Sequence, residues 1–321
     1  LGCLMAIFFI PFIGFLAFLI FGSSHLPQYR RARQHAMNDL VRETTGGTPQ
    51  LTDSDGLNEA TLVASQLNYK LGSLPLVGGN SFTLHNDNHE AMRIMAQEVN
   101  KAQRYVHFEF YITAYDEASK ILWDALFAAQ KRGVRVRVLI DHIGSRKYPS
   151  YRQLTKMLNE SGIEWRLMLP IKPWRLQWQR PDLRNHRKVL VIDGAVAFSG
   201  SQNAIHRSYD LKKNVRKSLE WKDLTFSCTG PIVEELNAVF VSDWYSETNQ
   251  LILEEIEAKI PYVPGSMRAQ VVPSGPGFET ENNLRLINYM IYNAEKRITI
   301  CSPYFVPDET RLQAHNKLSL I

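Results

Sequence analysis

The chain has little cysteine, with Cys3, Cys228 and Cys301 as the three cysteines among its 321 residues. No two of them lie at the short spacing of a metal-binding pair, so a structural zinc site and a disulfide-stabilised scaffold are excluded. An odd, scattered set of cysteines is typical of a catalytic portion kept in a reducing compartment. No cluster of metal-ligating residues stands out either, and we predict neither a metal nor a cofactor.

A large excess of one sign of charge is also missing. Lys and Arg total 37 and Asp and Glu total 32, which gives a net charge of +5 and a pI near 9.0. This mild basicity is too small for a dedicated nucleic-acid-binding protein, but it suits an anionic substrate or a membrane surface. A composition of 45% hydrophobic and 21% charged residues excludes a largely disordered chain.

Charge is absent altogether before Arg30, and 18 of residues 1–22 are hydrophobic. At 1.5 Å per residue this run would span about 33 Å, which exceeds a hydrocarbon core of about 30 Å. We therefore predict an N-terminal transmembrane helix over residues 1–22. A signal peptide is the alternative, but it would have a basic start and a shorter apolar run. Because the first residue is Leu1 and not Met, we expect further sequence upstream.

Three arginines, Arg30, Arg31 and Arg33, follow the apolar run before any acidic residue. By the positive-inside rule they place this flank, and the catalytic part after it, on the cytoplasmic side of the cell membrane. A chance cluster of arginines is the alternative. We assign residues 23–60 to a juxtamembrane basic segment and a linker, because residues 42–60 are polar and rich in turn-forming residues.

Helix and strand patterns alternate from about residue 80, which predicts an α/β fold with a parallel or mixed sheet between helices. The predicted helices are residues 88–102, 118–131 and 151–159, and the predicted strands are residues 105–112, 134–140 and 163–167.

An internal repeat relates residues 91–117 to residues 283–309, without gaps, at an offset of 192 and with four identical positions. The repeat predicts a first domain over residues 61–262 and the start of a second over residues 263–321. The alternative is that two amphipathic helix–strand units resemble each other by chance.

The most informative segment is residues 185–203, where a histidine and a lysine precede a predicted strand, Asp-Gly turn and strand. Side chains two apart on a strand share a face, so His186 and Lys188 point the same way and Arg187 points the opposite way. A neighbouring ammonium lowers the pKa of an imidazole and keeps it neutral. A neutral imidazole beside a cation suits nucleophilic attack on a phosphorus whose oxygens the lysine neutralises.

The whole segment reads His186-x-Lys188-x4-Asp193-x6-Gly200-Ser201-x-Asn203. This string resembles the HKD motif of the phospholipase D superfamily, and its surroundings resemble the bacterial cardiolipin synthase branch. The features that carry the second resemblance are Asn80 and residues 108–113, 133–145, 221–223, 230–231, 243–244 and 302–309. The resemblance implies a phospholipase D-like α/β sheet flanked by helices, with an N-terminal transmembrane helix.

The resemblance also implies a role for each matched residue. His186 would be the nucleophile that forms a phosphohistidine, or the acid/base partner of another such histidine. Lys188 and Asn203 would bind phosphoryl oxygens in a pocket that the Ser201 hydroxyl lines. Asp193 is the third letter of the motif and would be either catalytic or a purely structural turn residue.

Two further carboxylates are implied to support the site. Asp223 matches the acidic residue that orients the second ring nitrogen of the histidine, with Glu220 as the alternative. Glu109 lies on an early strand of the same sheet. It would either reach the site or form a buried structural ion pair.

The function implied by the resemblance is cardiolipin synthesis, in which a phosphatidyl group moves from one phosphatidylglycerol to the hydroxyl of another. The implied partners are this phospholipid and the membrane, without nucleic acid and without a cofactor. A hydrolytic phospholipase or nuclease of the same superfamily is one alternative. A non-catalytic membrane-bound fragment is the other.

The sequence departs from the family in one respect, because enzymes of this family build one active site from two HKD motifs. Adding the offset of 192 to His186 places a partner histidine near position 378, beyond Ile321. His315 comes too early and lacks the motif's aspartate, so we expect it to be non-catalytic. The chain alone is therefore expected to hold half a site and to be inactive, unless a homodimer brings two His186 residues together.

Two basic stretches flank the motif. Residues 165–188 place three tryptophans among seven Lys or Arg, which indicates either an interfacial substrate entrance or a solvated loop. The second stretch, residues 212–217, is predicted to be a solvated face.

The predicted anchor can be tested by membrane fractionation. If residues 1–22 span a bilayer and the three arginines set its orientation, the protein should resist carbonate extraction. A reporter fused after Ile321 should then be cytoplasmic. Recovery of the chain as a soluble protein, or a periplasmic reporter, would contradict the prediction.

Overall fold

The computed structural model of the chain describes residues 10–21, 26–45, 56–72, 74–148, 150–172, 177, 181–252, 262–275 and 282–301. Its helices there are α1 (Pro11–Phe21), α2 (Gln28–Thr45), α3 (Glu59–Gly72), α4 (Asn88–Lys101), α5 (Lys120–Lys131), α6 (His142–Arg146), α7 (Tyr151–Ser161), α8 (Lys212–Arg216), α9 (Ile232–Thr248) and α10 (Asn282–Tyr292). Its strands are β1 (Val77–His85), β2 (Tyr105–Phe110), β3 (Arg135–Asp141), β4 (Glu164–Met168), β5 (Lys188–Ile192), β6 (Val196–Gly200), β7 (Thr225–Thr229) and β8 (Met267–Ala269).

The described strands form one mixed sheet in the order β4-β3-β2-β5-β6-β7-β1-β8. Strands β2, β3 and β4 pair in parallel, and the remaining pairs are antiparallel. The α/β prediction is confirmed. Each helix and strand predicted between residues 88 and 167 lies within about two residues of an observed element.

Two faces of the sheet are buried under different helices. On one face, Val106 and Phe108 of β2 belong to a core built with α4, α5 and α7, and the Phe108 ring lies 4.9 Å from that of Trp123. On the other face, His107 stacks on Phe240 of α9 with ring centroids 4.2 Å apart. Because both faces are covered, the central strands β2, β3 and β5 are buried at nearly every position, and this includes the polar residues His107 and Glu109 of β2.

Helix α2 lies in the predicted juxtamembrane segment and linker, and it packs against α9. The Arg30 guanidinium donates to both carboxylate oxygens of Glu247, at 2.7 and 2.9 Å, and both side chains are almost fully buried. Gln34 donates to the Ser242 hydroxyl at 3.0 Å. The first of the three arginines therefore has a partner in the folded domain, and residues 28–45, within the predicted juxtamembrane segment and linker, form a packed helix.

The predicted transmembrane segment is only partly described. Residues 10–21 include the helix α1, with exposed side chains at Phe12, Ile13 and Phe15. Residues 1–9 and 22–25 lie outside the described part. Among the described residues, none of the helices has both the length and the apolar character needed to cross a bilayer.

The segment predicted to begin a second domain contributes to the first sheet. Strand β8 pairs with β1 at the sheet edge, so the sheet extends past the predicted boundary at residue 262. Helix α10 matches the repeated helix, and the Asn282 side chain donates to the Leu71 carbonyl of α3 at 3.3 Å. Residues 293–301 contain no strand in the described structure, and the predicted residues after 301 lie outside it.

Candidate active site

The register between β2 and β5 sorts the motif residues onto two faces. Phe110 lies opposite Lys188, and Glu109 lies opposite Val189. Directly opposed residues of an antiparallel pair point to the same side. Lys188 therefore shares the face of α4 and α5 with Phe110, whereas Glu109 points to the face covered by α9. The predicted opposite orientation of Arg187 agrees with this, since its guanidinium pairs with Asp243 of α9.

An aromatic platform supports the histidine. The His186 ring stacks on Tyr111 with centroids 3.9 Å apart and an interplanar angle of 15°. The Lys188 ammonium donates to the His186 carbonyl oxygen at 2.5 Å and lies 5.7 Å from the Tyr111 ring centroid. Tyr111 is held in turn because its backbone N–H donates to the Arg187 carbonyl at 3.0 Å. A cation and an imidazole therefore sit on one ring, at the point where β5 begins.

A glycine lets helix α6 approach this platform. A Cβ atom on Gly144 would lie 2.4 Å from the Tyr111 carbonyl oxygen. Any other residue at this position would therefore have to displace the backbone. The resemblance in residues 133–145 includes this glycine, and close approach to Tyr111 is the physical reason for it.

Burial and like charge set the protonation of the pair. Partial burial lowers the pKa of His186, and the charges of Lys188 and Arg184 lower it further. Burial lowers the pKa of Lys188 to about 8, against the opposing effect of the Asp223 carboxylate. The sequence analysis identified the effect of the lysine on the histidine, but burial is the larger cause. At neutral pH the imidazole has a free lone pair beside a protonated ammonium.

The serine of the motif pairs with the predicted supporting carboxylate. The Ser201 hydroxyl donates to Asp223 at 2.7 Å and accepts from the Leu224 N–H at 3.0 Å. Among the described residues, Asp223 also accepts from Asn88 at 3.5 Å and makes no hydrogen bond to the His186 ring. The role of Asp223 in orienting the histidine therefore stays a prediction.

A second glycine makes this pairing possible. Gly200 has φ of +147°, and a Cβ there would lie 2.2 Å from the Leu224 carbonyl oxygen. Glu220, the alternative carboxylate, pairs with Arg207 at 2.8 Å and so is engaged outside the site.

The asparagine of the motif is buried and holds neighbouring chain segments together. The Asn203 carbonyl oxygen accepts from the Ile112 N–H at 3.0 Å, and its amide donates to the Tyr209 hydroxyl at 2.8 Å. An amide group has two N–H donors, so one remains to contact a phosphoryl oxygen. The predicted binding role stays compatible with this geometry.

Known proteins similar to this chain include several cardiolipin synthases. Residues 95–244 match the family described as cardiolipin synthase, PLD-like domain. The cardiolipin synthase of Alkalihalophilus pseudofirmus is 30% identical over 95% of this chain and 60% of its own length. The major cardiolipin synthase ClsA of Bacillus subtilis is 31% identical over 97% of this chain and 65% of its own length. Over these regions the chain is similar to the cardiolipin synthase branch of the phospholipase D superfamily.

A solved structure is similar at a lower level. Nuc from Salmonella typhimurium, a phospholipase D family member, has a TM-score of 0.40 and 17% identity, over 52% of this chain and 96% of its own. The chain spans less than two thirds of the length of the cardiolipin synthases compared above.

The third letter of the family motif lies away from the other two. Asp193 follows the last residue of β5, so about five residues, or roughly 17 Å of strand, separate it from Lys188. Its carboxylate accepts backbone N–H groups of Gln103 and Arg104, both at 2.8 Å, and of Tyr105 at 2.9 Å. This position favours the structural turn role for Asp193 over the catalytic role, the two alternatives left open by the sequence. The physical reason is that strand β5 carries the residue to its opposite end.

Glu109 lies in a buried polar network behind the site, on the α9 face of the sheet. The Asn185 amide donates to Glu109 at 2.9 Å and to Asp243 at 3.0 Å, and the Arg187 guanidinium pairs with the same Asp243. Burial, and then the charge of Asp243, raise the pKa of Glu109 well above its ordinary value. The structure therefore favours the buried alternative for Glu109 over direct contact with substrate.

A second buried ion pair fixes Arg184, the residue that precedes Asn185 in the chain. The Arg184 guanidinium lies 2.8 Å from Asp141 at the end of β3, and both side chains are at most 2% exposed. The Asp141 carboxylate also accepts the Gly144 N–H at 2.7 Å, which ties it to the helix beside Tyr111.

The sequence alone did not predict the supporting roles of Tyr111, Asn185 and Asp243. A usable signal existed for Tyr111 and Asp243, which lie in the stretches 108–113 and 243–244 that carry the resemblance. For Asn185 a signal appears only when the strand register is known. Among the described residues, no group of three or more His, Cys, Asp or Glu side chains is placed to hold a metal ion.

The structural role of Asp193 predicts a loss of stability. Asp193→Ala removes an ionised acceptor of three hydrogen bonds and should lower the free energy of unfolding by about 2–4 kcal/mol, measured by urea denaturation. Asp193→Asn keeps an acceptor for Arg104 and Tyr105 and tolerates the φ of +54°, so its loss should be smaller. A variant with unchanged stability and abolished catalysis would contradict the structural role.

Proposed function

We propose that this chain supplies a His–Lys half of a cardiolipin synthase-type phosphatidyltransferase site. The observation that carries the proposal is the pairing of His186, stacked on Tyr111, with Lys188 at the start of β5. The substrate is phosphatidylglycerol, both as the phosphatidyl donor and as the acceptor. The site works at the cytoplasmic face of the cell membrane, without nucleic acid and without a cofactor.

The reaction proceeds in two displacements at phosphorus. In the first, the free ring nitrogen of His186 attacks the phosphorus, the bond from phosphorus to the glycerol oxygen breaks, and glycerol leaves with a proton from a general acid. In the second, a hydroxyl of another phosphatidylglycerol attacks the phosphohistidine, loses its proton to the same group, and restores His186. Water in place of that hydroxyl gives the hydrolytic alternative.

The remaining residues bind the phosphoryl oxygens or position the groups that do so. Lys188 neutralises them, and the spare N–H of Asn203 donates to them. Asp223 keeps Ser201 oriented and limits the fall in the pKa of Lys188. Tyr111 orients the imidazole for attack along the line of the leaving oxygen.

The partner histidine comes from a second copy of the motif. The sequence of this chain contains one complete copy of the motif, and the relatives are longer than this chain. We propose that a complementary segment with the second copy completes the site. A homodimer that faces two His186 residues at one phosphate is the alternative.

The two motif residues have separable effects on activity in a completed enzyme. His186→Ala should abolish lipid transfer, and Lys188→Ala should lower kcat by about 10²–10³, as for other preorganised electrostatic donors. The matched control is Lys156→Ala, an exposed lysine of α7, which should leave kcat unchanged. Activity within a few fold of wild type in either motif variant would remove that residue from the mechanism.

The lowered pKa of Lys188 predicts an alkaline limit. Lys188 is charged below its pKa of about 8 and neutral above it, so kcat/KM should fall as the pH rises through about 8. Lys188→Arg stays charged in this range and should lose the alkaline limb, even if its overall rate is lower. If kcat/KM of that variant still falls through about pH 8, a group other than Lys188 causes the alkaline limit.

Complementation tests the half-site. Residues 1–321 expressed alone, in a host without its own cardiolipin synthases, should form no measurable cardiolipin from labelled phosphatidylglycerol. Co-expression with a segment that carries the second motif should restore part of the activity. Phosphatidic acid as the sole product would favour the hydrolase. Turnover by residues 1–321 alone at a family-like rate would favour the homodimer.

A further inference from the structure

A surface segment leaves the sheet between the motif asparagine and strand β7. Residues 206–224, the surface segment, include the short helix α8. The Asn214 amide is buried and donates to the Ser208 carbonyl at 2.9 Å. The Trp221 N–H donates to the Arg207 carbonyl at 3.0 Å, which closes the base of the segment. The segment is therefore a structured projection from the sheet.

The surface segment exposes several large apolar side chains. Leu211, Val215, Leu219 and Leu224 are 41%, 60%, 51% and 46% exposed. One exposed leucine is ordinary in a folded protein, but four large exposed apolar side chains within fourteen residues concentrate apolar surface in this segment, and these four side chains are called the apolar patch below. Leu211 and Val215 are four residues apart across α8 and so lie on the same side of it.

Basic side chains flank this apolar patch. Lys212, Lys213, Arg216 and Lys217 are all exposed, and Lys212 and Arg216 form the row next to that of Leu211 and Val215. The nearby Glu220 is paired with Arg207 and does not neutralise them. The sequence analysis predicted a solvated basic face here, and the structure adds an apolar row beside the charges.

Both ends of the surface segment are attached to motif residues. Near its start, the Tyr209 hydroxyl accepts from Asn203. Near its end, Asp223 accepts from Ser201, and its charge acts on Lys188. Whatever binds the segment is therefore held beside the candidate active site.

We propose that the surface segment docks on an anionic lipid bilayer. The apolar side chains would enter the boundary between headgroups and acyl chains, while the four cations contact anionic headgroups. A nucleic acid would satisfy the charges but leave the apolar patch in water, so charge and apolarity together favour the bilayer. The inference rests on the proposed function, since a lipid substrate must be drawn from a bilayer surface.

A local fluorescence probe tests the docking in the full chain. Cys3→Ser and Cys301→Ser leave Cys228, which is buried and whose pKa is raised to about 12, so that it does not compete for a thiol reagent at neutral pH. A polarity-sensitive dye is attached at Val215→Cys, or at Lys156→Cys as the control position. The chain is reconstituted with vesicles of phosphatidylcholine alone or mixed with phosphatidylglycerol.

The expected result is a blue shift that depends on anionic lipid. The probe at position 215 should shift in mixed vesicles and not in phosphatidylcholine, and the probe at position 156 should shift in neither. The shift should shrink between about 0.15 and 1 M salt, because the screening length falls from about 8 to about 3 Å. Each basic residue is expected to strengthen the contact about fivefold.

Charge variants provide a matched comparison. Replacing the four cations by glutamine (Lys212→Gln, Lys213→Gln, Arg216→Gln and Lys217→Gln) should abolish the shift. Replacing four exposed lysines elsewhere (Lys101→Gln, Lys120→Gln, Lys131→Gln and Lys156→Gln) changes the net charge equally and should preserve it. Both quadruple variants are at the surface, and equal thermal unfolding midpoints would show that they fold alike.

Three outcomes would overturn the proposal. They are an equal shift in phosphatidylcholine, no shift in either vesicle, and a shift produced by DNA or RNA but not by vesicles. The measurement requires no turnover. Docking of the chain, with no cardiolipin formed after co-expression with a segment that carries the second motif, would therefore contradict the proposed function alone. Cardiolipin formation by that completed enzyme, without docking of the surface segment, would contradict this inference alone.

Discussion

The orientation of His186 and Lys188 depends on the polar contacts that Asn185, before His186, and Arg187, between the two, make on the other face of the sheet. Asn185 and Arg187 point into the α9 face, where Arg187 pairs with Asp243, so His186 and Lys188 must point to the other side. Breaking one partner of a buried pair costs about 3–5 kcal/mol because the other charge is left unpaired. That energy opposes any slip of β5 by one residue, which would exchange the two faces and withdraw the lysine from the site.

The same buried contacts balance their own charge. Burial, and then the charge of Asp243, raise the pKa of Glu109 well above its ordinary value, which favours the neutral form of this carboxyl group. The neutral form leaves one carboxylate, that of Asp243, opposite the guanidinium of Arg187. It can still accept the Asn185 amide, so it holds the segment before His186 without adding a buried charge.

The features that depend on neighbouring residues in the chain, such as strand positions and the face on which a side chain lies, could be predicted from the sequence. Alternation placed His186 and Lys188 together, and hydrophobic periodicity located the central strands. Contacts between distant parts of the chain were not predictable in this way. The role of Asp193 depends on amides about ninety residues away, and Arg30, interpreted as a topology signal, is paired with Glu247 across 217 residues. A single sequence carries composition and spacing, but it does not state which distant group lies opposite a given side chain.

The electrostatics of the reactive pair connect binding to chemistry. Burial lowers the pKa values of both His186 and Lys188, so desolvation disfavours the charged form of Lys188 in the free site. The Asp223 carboxylate offsets part of this effect. A phosphodiester brings a negative charge next to Lys188 and raises the pKa of its ammonium, since an opposite charge favours the charged form. Negative charge on the phosphoryl oxygens grows as the imidazole attacks, and the attraction therefore strengthens from the bound substrate to the transition state. Such an increase lowers the barrier, whereas uniform attraction would only tighten binding.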